Sequence, residues 1–363
     1  MDRVKHPIYS HSKRKPQVND KKVLESPNPS QERISTTYSD ASYANSIDSS
    51  FQSEKSLDAN TFFPTSKSGS KKLQQLIAKS RPEDLSKIIE SISPKIADLM
   101  IDLYGNYMCQ TLFHNCSASQ RLLLLKAMRL RLIDVAYHPR GTHALQNLIA
   151  MTSLKEEETI YREEFQGKFV EMSKDTNASH VVQRLLVTLN NRYFIIREFL
   201  GKVEDLSVDK LGVCVIKKCC NDPEIMNEIL GSCLMLIQHP YGNYAIQSVL
   251  ELWKEEVAYE FIGSVSGKIL QLCFQKYASN VIEKAIKVES IRSSIIKELL
   301  TDEKVLELLN NQYGCYVLRT LSKDCDLSYK ESFLSIVQLG LKKVHSQKLK
   351  PLWQEITDNL TLH

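Results

Sequence analysis

The chain has 363 residues, 42% hydrophobic and 25% charged, with a formal net charge of +4. This is an ordinary globular balance, and its mild basicity permits a nucleic-acid partner without requiring one, because the arrangement of charge matters more than its sum. No apolar run approaches the roughly 18 residues of a membrane span, the densest being Leu122 to Leu125 between Arg121 and Lys126.

The N-terminus, Met1-Asp2-Arg3-Val4-Lys5-His6, lacks the apolar core of a signal peptide. Residues 1 to 60 are rich in Ser, Asn, Asp, Thr and Lys, with Ser26-Pro27-Asn28-Pro29 and Ser49-Ser50 as samples. Such a segment cannot bury enough surface to offset the entropy of ordering it, which predicts a disordered tail. Residues 61 to 363 form the second domain. The nine cysteines show no Cys-x-x-Cys spacing, and Cys109, Cys219, Cys220 and Cys273 lie in apolar helical patterns, as reduced core thiols of a cytosolic protein would.

Within that domain one short pattern returns eight times: Gly or Ala, a small residue (position i), a long or aromatic residue (i+1), two core residues, and then Gln or another long polar residue (i+4). Position i falls on Ser70, Asn106, Thr142, Ser179, Val213, Asn243, Ser279 and Cys315, in steps of 36, 36, 37, 34, 30, 36 and 36 residues. Steps this regular mean one supersecondary unit stacked on copies of itself, so the fold expected is an all-α solenoid. After each position i, apolar residues follow at helical spacing, as in Ala245, Ile246, Val249 and Leu250. Between these helices lie amphipathic stretches such as Glu157 to Phe169, Asn191 to Leu200 and Ile291 to Leu300, punctuated by Pro82, Pro94, Pro139, Pro223 and Pro240. The first unit has little room for a leading helix after Phe62-Phe63-Pro64, residues 329 to 363 read as closing helices, and the short step from Val213 to Asn243 predicts shortened helices or loops.

On a helix, i and i+4 lie one above the other. The pairs are Ser70/Gln74, Asn106/Gln110, Thr142/Gln146, Ser179/Gln183, Asn243/Gln247, Ser279/Glu283 and Cys315/Arg319, and beside them project Lys71, Tyr107, His143, His180, Tyr244, Asn280 and Tyr316. Two short polar groups with a flat or long neighbour, repeated from helix to helix, suit an extended single-stranded nucleic acid. The paired groups reach a base edge and the i+1 groups stack between bases. A polar residue after Gly can also simply cap a helix. That alternative gives no reason for Gln at i+4 in five of the eight copies.

Tyr104-Gly105-Asn106-Tyr107-Met108-Cys109-Gln110, the parallel run from Tyr241 to Gln247, and Ala278-Ser279-Asn280-Val281-Ile282-Glu283-Lys284 resemble the second, sixth and seventh repeats of the Pumilio (PUF) family of RNA-binding proteins. The resemblance covers residues 61 to 363. It implies a right-handed crescent of three-helix repeats that binds RNA antiparallel, one base per repeat. It also implies a code: Asn with Gln for uracil, Ser with Glu for guanine, Ser or Cys with Gln for adenine. Carried onto these positions, Ser279/Glu283 take G, and Asn243/Gln247 and Asn106/Gln110 take U. Ser179/Gln183, Thr142/Gln146 and Ser70/Gln74 take A, for a site like 5′-nGUnAAUA-3′.

Two units depart from the pattern. Val213 cannot hydrogen-bond, Cys214 stacks poorly, and Lys217 offers a point charge better suited to phosphate than to a base. In the last unit Cys315 and Arg319 replace the Asn and Gln that uracil pairing would use, while Tyr316 can still stack. The family's logic expects a cytoplasmic monomer that marks mRNA 3′ untranslated regions and recruits a deadenylase or translation-repression complex, with no cofactor, metal, membrane or enzymatic step. No catalytic or metal-binding motif stands against that. The alternatives are a ribosome-assembly factor gripping structured RNA non-specifically and a helical scaffold that binds proteins.

Overall fold

A computed structural model describes residues 65–361. The chain divides after Ser56, and the tail expected over residues 1 to 60, like any leading helix of the first unit, lies outside the described residues. Among those described there are twenty-four α-helices, two turns of 3₁₀ helix and no strand.

The first unit contributes α1 (Lys67–Lys79). Each later unit contributes three helices: a leading one, a short middle one, and a third that carries the recurring pattern. They are α2 (Pro82–Ile92), α3 (Ile96–Ile101) and α4 (Gly105–Asn115); α5 (Ala118–Met128), α6 (Leu132–Tyr137) and α7 (Gly141–Ala150); α8 (Lys155–Phe165), α9 (Phe169–Lys174) and α10 (Ala178–Thr188). Then come α11 (Tyr193–Phe199), α12 (Val203–Val208) and α13 (Gly212–Ile216); α14 (Pro223–Gly231), α15 (Cys233–Gln238) and α16 (Gly242–Trp253). Last are α17 (Glu255–Val265), α18 (Ile269–Cys273) and α19 (Ala278–Ile286); α20 (Glu289–Leu299), α21 (Asp302–Leu309) and α22 (Gln312–Asp324); and the closing pair α23 (Leu327–Leu341) and α24 (Lys350–Thr361). The third helices pack in sequence, α1 on α4, α4 on α7, and so on to α22 on α24. This is the expected solenoid.

The helices begin where local chemistry lets them. Pro82 and Pro223 occupy first turns, where the missing N–H costs nothing. Ser117 and Gln120 close a capping box on α5. The stretch from Glu157 to Phe169 is broken rather than continuous, because Gly167 at φ 76° ends α8 and opens α9. The break recurs at Gly201 and Gly267, and each time a glutamate of the next unit closes it. Glu198 accepts from the N–H groups of Gly167 (2.6 Å) and Phe169 (3.1 Å), and Glu298 from those of Gly267 (2.9 Å) and Ile269 (2.8 Å). Glu228 accepts from Gly201. Arginines supply the complementary device at the C-terminal ends of third helices: Arg121 donates to Cys116 O, Arg192 to Leu186 O and Arg292 to Ile286 O.

The core is continuous from unit to unit. Fully buried Tyr161, Phe165 and Phe169 form a chain of ring contacts that reaches Phe194 of the next unit, the first pair stacked, the second edge-on and the third tilted, with centroid separations of 6.4, 6.1 and 5.7 Å. Each aliphatic side chain so buried contributes about 1.5–3 kcal/mol. Cys109, Cys219, Cys220 and Cys273 are buried and form no disulfide. Cys219 and Cys220, expected within a helical pattern, instead occupy the turn that follows α13, although both are buried.

The short step has two sources. The leading helix α14 has 9 residues and is joined to α15 by Ser232 alone, where α17 has 11 and three residues lead on to α18. The third helix α13 has 5 residues, while α10 and α16 on either side have 11 and 12. The carbonyls that α13 leaves over are taken by thiols and a neighbour. Cys219 Sγ donates to Ile216 O (3.3 Å), Cys220 Sγ to Lys217 O (3.4 Å), and Trp253 Nε1, from the end of α16, to Cys220 O (2.8 Å). At the far end Trp353 of α24 donates to Leu309 O (3.0 Å), sealing the last unit.

Candidate nucleic-acid interface

The third helices start very close to their middle helices. A Cβ on Gly105 would lie 2.6 Å from Leu99 O, and one on Gly141 2.6 Å from Val135 O, so in these two units a side chain there would force the helices apart. Ala178 and Ala278 hold the same place in their units.

Capping is done by residues just upstream of the pattern, not by position i. Asp102 Oδ1 accepts from the N–H groups of Tyr104 and Gly105 (2.9 and 2.7 Å). Asp175 does this for α10, Asp209 for α13 and Asn311 for α22, while His138 and His239 use Nδ1 to cap α7 and α16. Position i therefore lies within the first turn of the helix without capping it, and has another task.

Its first task is to hold the reader at i+4. Ser70, Asn106, Thr142, Ser179, Asn243 and Ser279 are 1–4% exposed, and their hydrogens go to backbone carbonyls where partners exist. Ser70 Oγ donates to Tyr104 O (2.8 Å) and Thr142 Oγ1 to Asn177 O (3.0 Å), in each case across the unit boundary. Asn243 Nδ2 donates to His239 O and Pro240 O (2.8 and 2.9 Å), Asn106 Nδ2 to Asp102 O and Leu103 O (2.9 and 3.0 Å). Ser279 Oγ lies 3.4 Å from Lys276 O. The oxygen that remains accepts from the reader's amide: Gln74 to Ser70 (3.0 Å), Gln146 to Thr142 (3.0 Å), Gln247 to Asn243 (2.8 Å) and Gln110 to Asn106 (3.4 Å).

Above this buried layer the readers Gln74, Gln110, Gln146, Gln183, Gln247, Glu283 and Arg319 are all half-buried. Beside them Lys71, Tyr107, His143, His180 and Asn280 are exposed, and Tyr244 and Tyr316 half-buried. Four units thus offer an oriented polar fork, Gln74, Gln110, Gln146 and Gln247, each with the side chain at i+1 beside it.

Glu283 differs from the glutamines. Burial raises its carboxyl above the ordinary value, opposed by a hydrogen bond from Thr320 and by the charges of Arg319 and Lys287. Thr320 Oγ1 donates to Glu283 Oε2 at 2.9 Å. Ser179 Oγ and Arg184 Nε, both on α10, are buried without a hydrogen-bond partner.

The two departing units stand out here too. Val213 is buried and Cys214 half-buried, and Lys217 Nζ sits 5.9 Å from the Tyr244 ring centroid, a cation–π contact with the next unit. Cys315 is fully buried, with Sγ 3.3 Å from Leu309 O, and burial pushes its thiol up to about 11. It has no hydrogen left to offer. Arg319 lies over the Tyr316 ring (5.2 Å) and pairs with Glu355 of α24 (3.7 Å). Sequence reasoning missed Thr320, Asn147 and Glu355, each of which touches a reader. Among the described residues no cluster of His, Cys, Asp or Glu could hold a metal ion, and no helix is long and apolar enough to cross a membrane.

Comparison with known proteins agrees with this geometry. The profile described as "Pumilio-family RNA binding repeat" matches residues 95–128, 168–198, 232–258, 268–300 and 304–319. These segments carry Asn106, Ser179, Asn243, Ser279 and Cys315, while the helices of Ser70, Thr142 and Val213 fall outside them. The chain is 28% identical to Pumilio homolog 12 of Arabidopsis thaliana over 77% of its own length and 49% of that protein. It is 29% identical to a Pumilio domain-containing protein of Schizosaccharomyces pombe over 77% of its length and 43% of that one. It therefore spans about half the length of these relatives. Among solved structures, the Puf4 RNA binding domain bound to an HO endonuclease RNA 3′ UTR recognition sequence is similar at a TM-score of 0.76 and 26% identity, covering 82% of this chain and 97% of that one. The Puf3 RNA binding domain bound to a Cox17 RNA 3′ UTR sequence shares the fold, at a TM-score of 0.67 and 23% identity over 80% of this chain and 93% of that one. Repeats, fold and relatives agree: the chain belongs to the Pumilio (PUF) family of RNA-binding repeat proteins.

Proposed function

We propose that the ladder of third helices binds single-stranded RNA one base per unit and does no chemistry on it. One observation carries this reading: the same layering recurs along the ladder, with position i buried and i+4 half-buried in all eight units, and the reader held by position i through a hydrogen bond in four of them. A stack of helices needs no such layering to be stable.

Base preferences follow from the donors and acceptors left over. With Nδ2 committed to carbonyls, Asn243 presents an oxygen, and Gln247 keeps one N–H and its carbonyl. Uracil offers N3–H and a carbonyl to such a pair. Ionised Glu283 presents acceptors only, which suits the N1–H and N2–H of guanine. These preferences support a site of the form 5′-nGUnAAUA-3′. The fifth unit, with Val213 at position i, discriminates little. In the eighth, Arg319 supplies donors only, so it favours a base edge with two adjacent acceptors, as N3 and O2 of cytosine are.

By extension from the relatives, the targets are mRNA 3′ untranslated regions, and the bound chain acts in the cytoplasm as a monomer that recruits a deadenylase or translation-repression complex. The test of the binding step is fluorescence anisotropy of the full chain with UGUAAAUA and with the same RNA bearing ACA in place of UGU, at physiological salt. Sequence reading predicts a large loss of affinity on the change. Equal binding with a steep salt dependence leaves only phosphate attraction, and a factor that grips structured RNA then fits better.

A further inference from the structure

We propose that in the third and eighth units the residue directly after the reader is a positioning residue for the reader of the preceding unit, so that base choice in one unit is set partly by the next. Thr320 serves Glu283 in this way, and Asn147 serves Gln110. The inference rests on the RNA-binding reading above and concerns the guanine-reading unit first.

The register is the same in both cases. Thr320 follows Arg319 and Asn147 follows Gln146, each one place past its own reader. Thr320 Oγ1 donates to Glu283 Oε2 at 2.9 Å, and Asn147 Nδ2 to Gln110 Oε1 at 3.1 Å. A threonine inside a helix has an easier partner, the carbonyl four residues back. Thr111, at the same register on α4, takes that partner, donating to Tyr107 O at 3.2 Å. Thr320 instead turns its hydroxyl across the unit boundary, and it is only 7% exposed there. Asn147 donates to both, keeping His143 O at 3.0 Å.

The consequence for recognition is chemical. The last torsion of a glutamate side chain is broad and nearly unrestrained. One donor on Oε2 fixes the carboxylate plane and leaves Oε1 and the second lone pair of Oε2 for the two N–H groups of guanine. Burial favours the neutral acid at Glu283, and Thr320, Arg319 and Lys287 oppose it. A neutral acid presents one donor and one acceptor, which matches adenine's N1 and N6–H₂. Loss of the Thr320 hydroxyl therefore weakens guanine and favours adenine. This also gives α22 a task beyond its own departed reader pair.

The test measures affinity of the full chain for UGUAAAUA and UAUAAAUA, which differ only at the base assigned to Glu283. The wild type should favour the first. In Thr320→Val, which keeps the shape and removes the hydroxyl, the preference should fall about tenfold, with affinity for UAUAAAUA kept or raised, which also reports that the variant is folded. Thr320→Ser restores the hydroxyl and should restore the preference. A Thr320→Val protein with the wild-type preference overturns the inference and leaves the RNA reading standing. So does a Thr320→Ser protein that loses the preference as fully as Thr320→Val. A wild type indifferent to the base overturns both.

Discussion

Gln247 Nε2 donates to Asn243 Oδ1 across 2.8 Å, and Asn243 is itself held by the carbonyls of His239 and Pro240. The reader of the sixth unit is thus the outer member of a relay anchored in backbone. Removing the inner member releases the outer one, so the two should not act independently. Asn243→Ala is expected to weaken RNA binding by about 2 kcal/mol, and Asn243→Ala with Gln247→Ala by little more. A double-mutant cycle by anisotropy measures the coupling, and additive losses would show that the two side chains read separately.

Glu283 is the acceptor-only reader, and its replacement by Gln exchanges one acceptor for a donor. Glu283→Gln should therefore move the preference at that base from guanine toward adenine, by about tenfold in the affinity ratio. If competition binding finds the preference unchanged, the register of units against bases is wrong.

Arg319 makes the eighth unit distinct. RNAs with each of the four bases at the position next to the G read by Ser279 and Glu283 should bind with cytosine first. Arg319→Gln should remove that order and cost about 1–2 kcal/mol with the cytosine RNA. A flat profile in the wild type would assign Arg319 to phosphate or to its pair with Glu355 instead.

His138 caps α7 through Nδ1, at 3.2 Å from Arg140 N and 3.3 Å from Gly141 N, which requires that nitrogen unprotonated. Burial first, and then Arg140, hold its pKa below the ordinary 6.5. The folded state thus binds fewer protons than the unfolded chain in the window below 6.5. Stability should fall as pH drops through that window toward the depressed folded value, and His138 should contribute no slope above it. His138→Asp, copying Asp102 in the preceding unit, should remove this contribution. Urea midpoints from pH 5 to 8 measure both.

Glu298 ties the seventh and eighth units through two backbone N–H groups at the start of α18. Glu298→Ala leaves both without a side-chain acceptor, and a lost cap of this kind costs about 1–2 kcal/mol. A lowered melting temperature with unchanged base preference is the expected result, because the contact lies outside the ladder.

By itself the sequence determined the period, the helical class and the faces. A 3.6-residue periodicity separates buried from exposed positions without reference to any neighbour, so the stripe Ala245, Ile246, Val249 and Leu250 and the free side chains at i+1 were legible from order alone. The short step after Val213 was legible too, although not that it would truncate α13 and recruit Trp253 to cover the spare carbonyls. Only the tertiary structure decided which residue caps, which anchors and which reads. The acceptor at Gly267 comes from Glu298, and the donor on Glu283 comes from Thr320. These partners are a whole unit away in the chain, and stacking alone brings them within hydrogen-bond reach. Position i shows the same division: its polarity is written in the sequence, but its burial beneath the reader exists only once one helix is laid against the next.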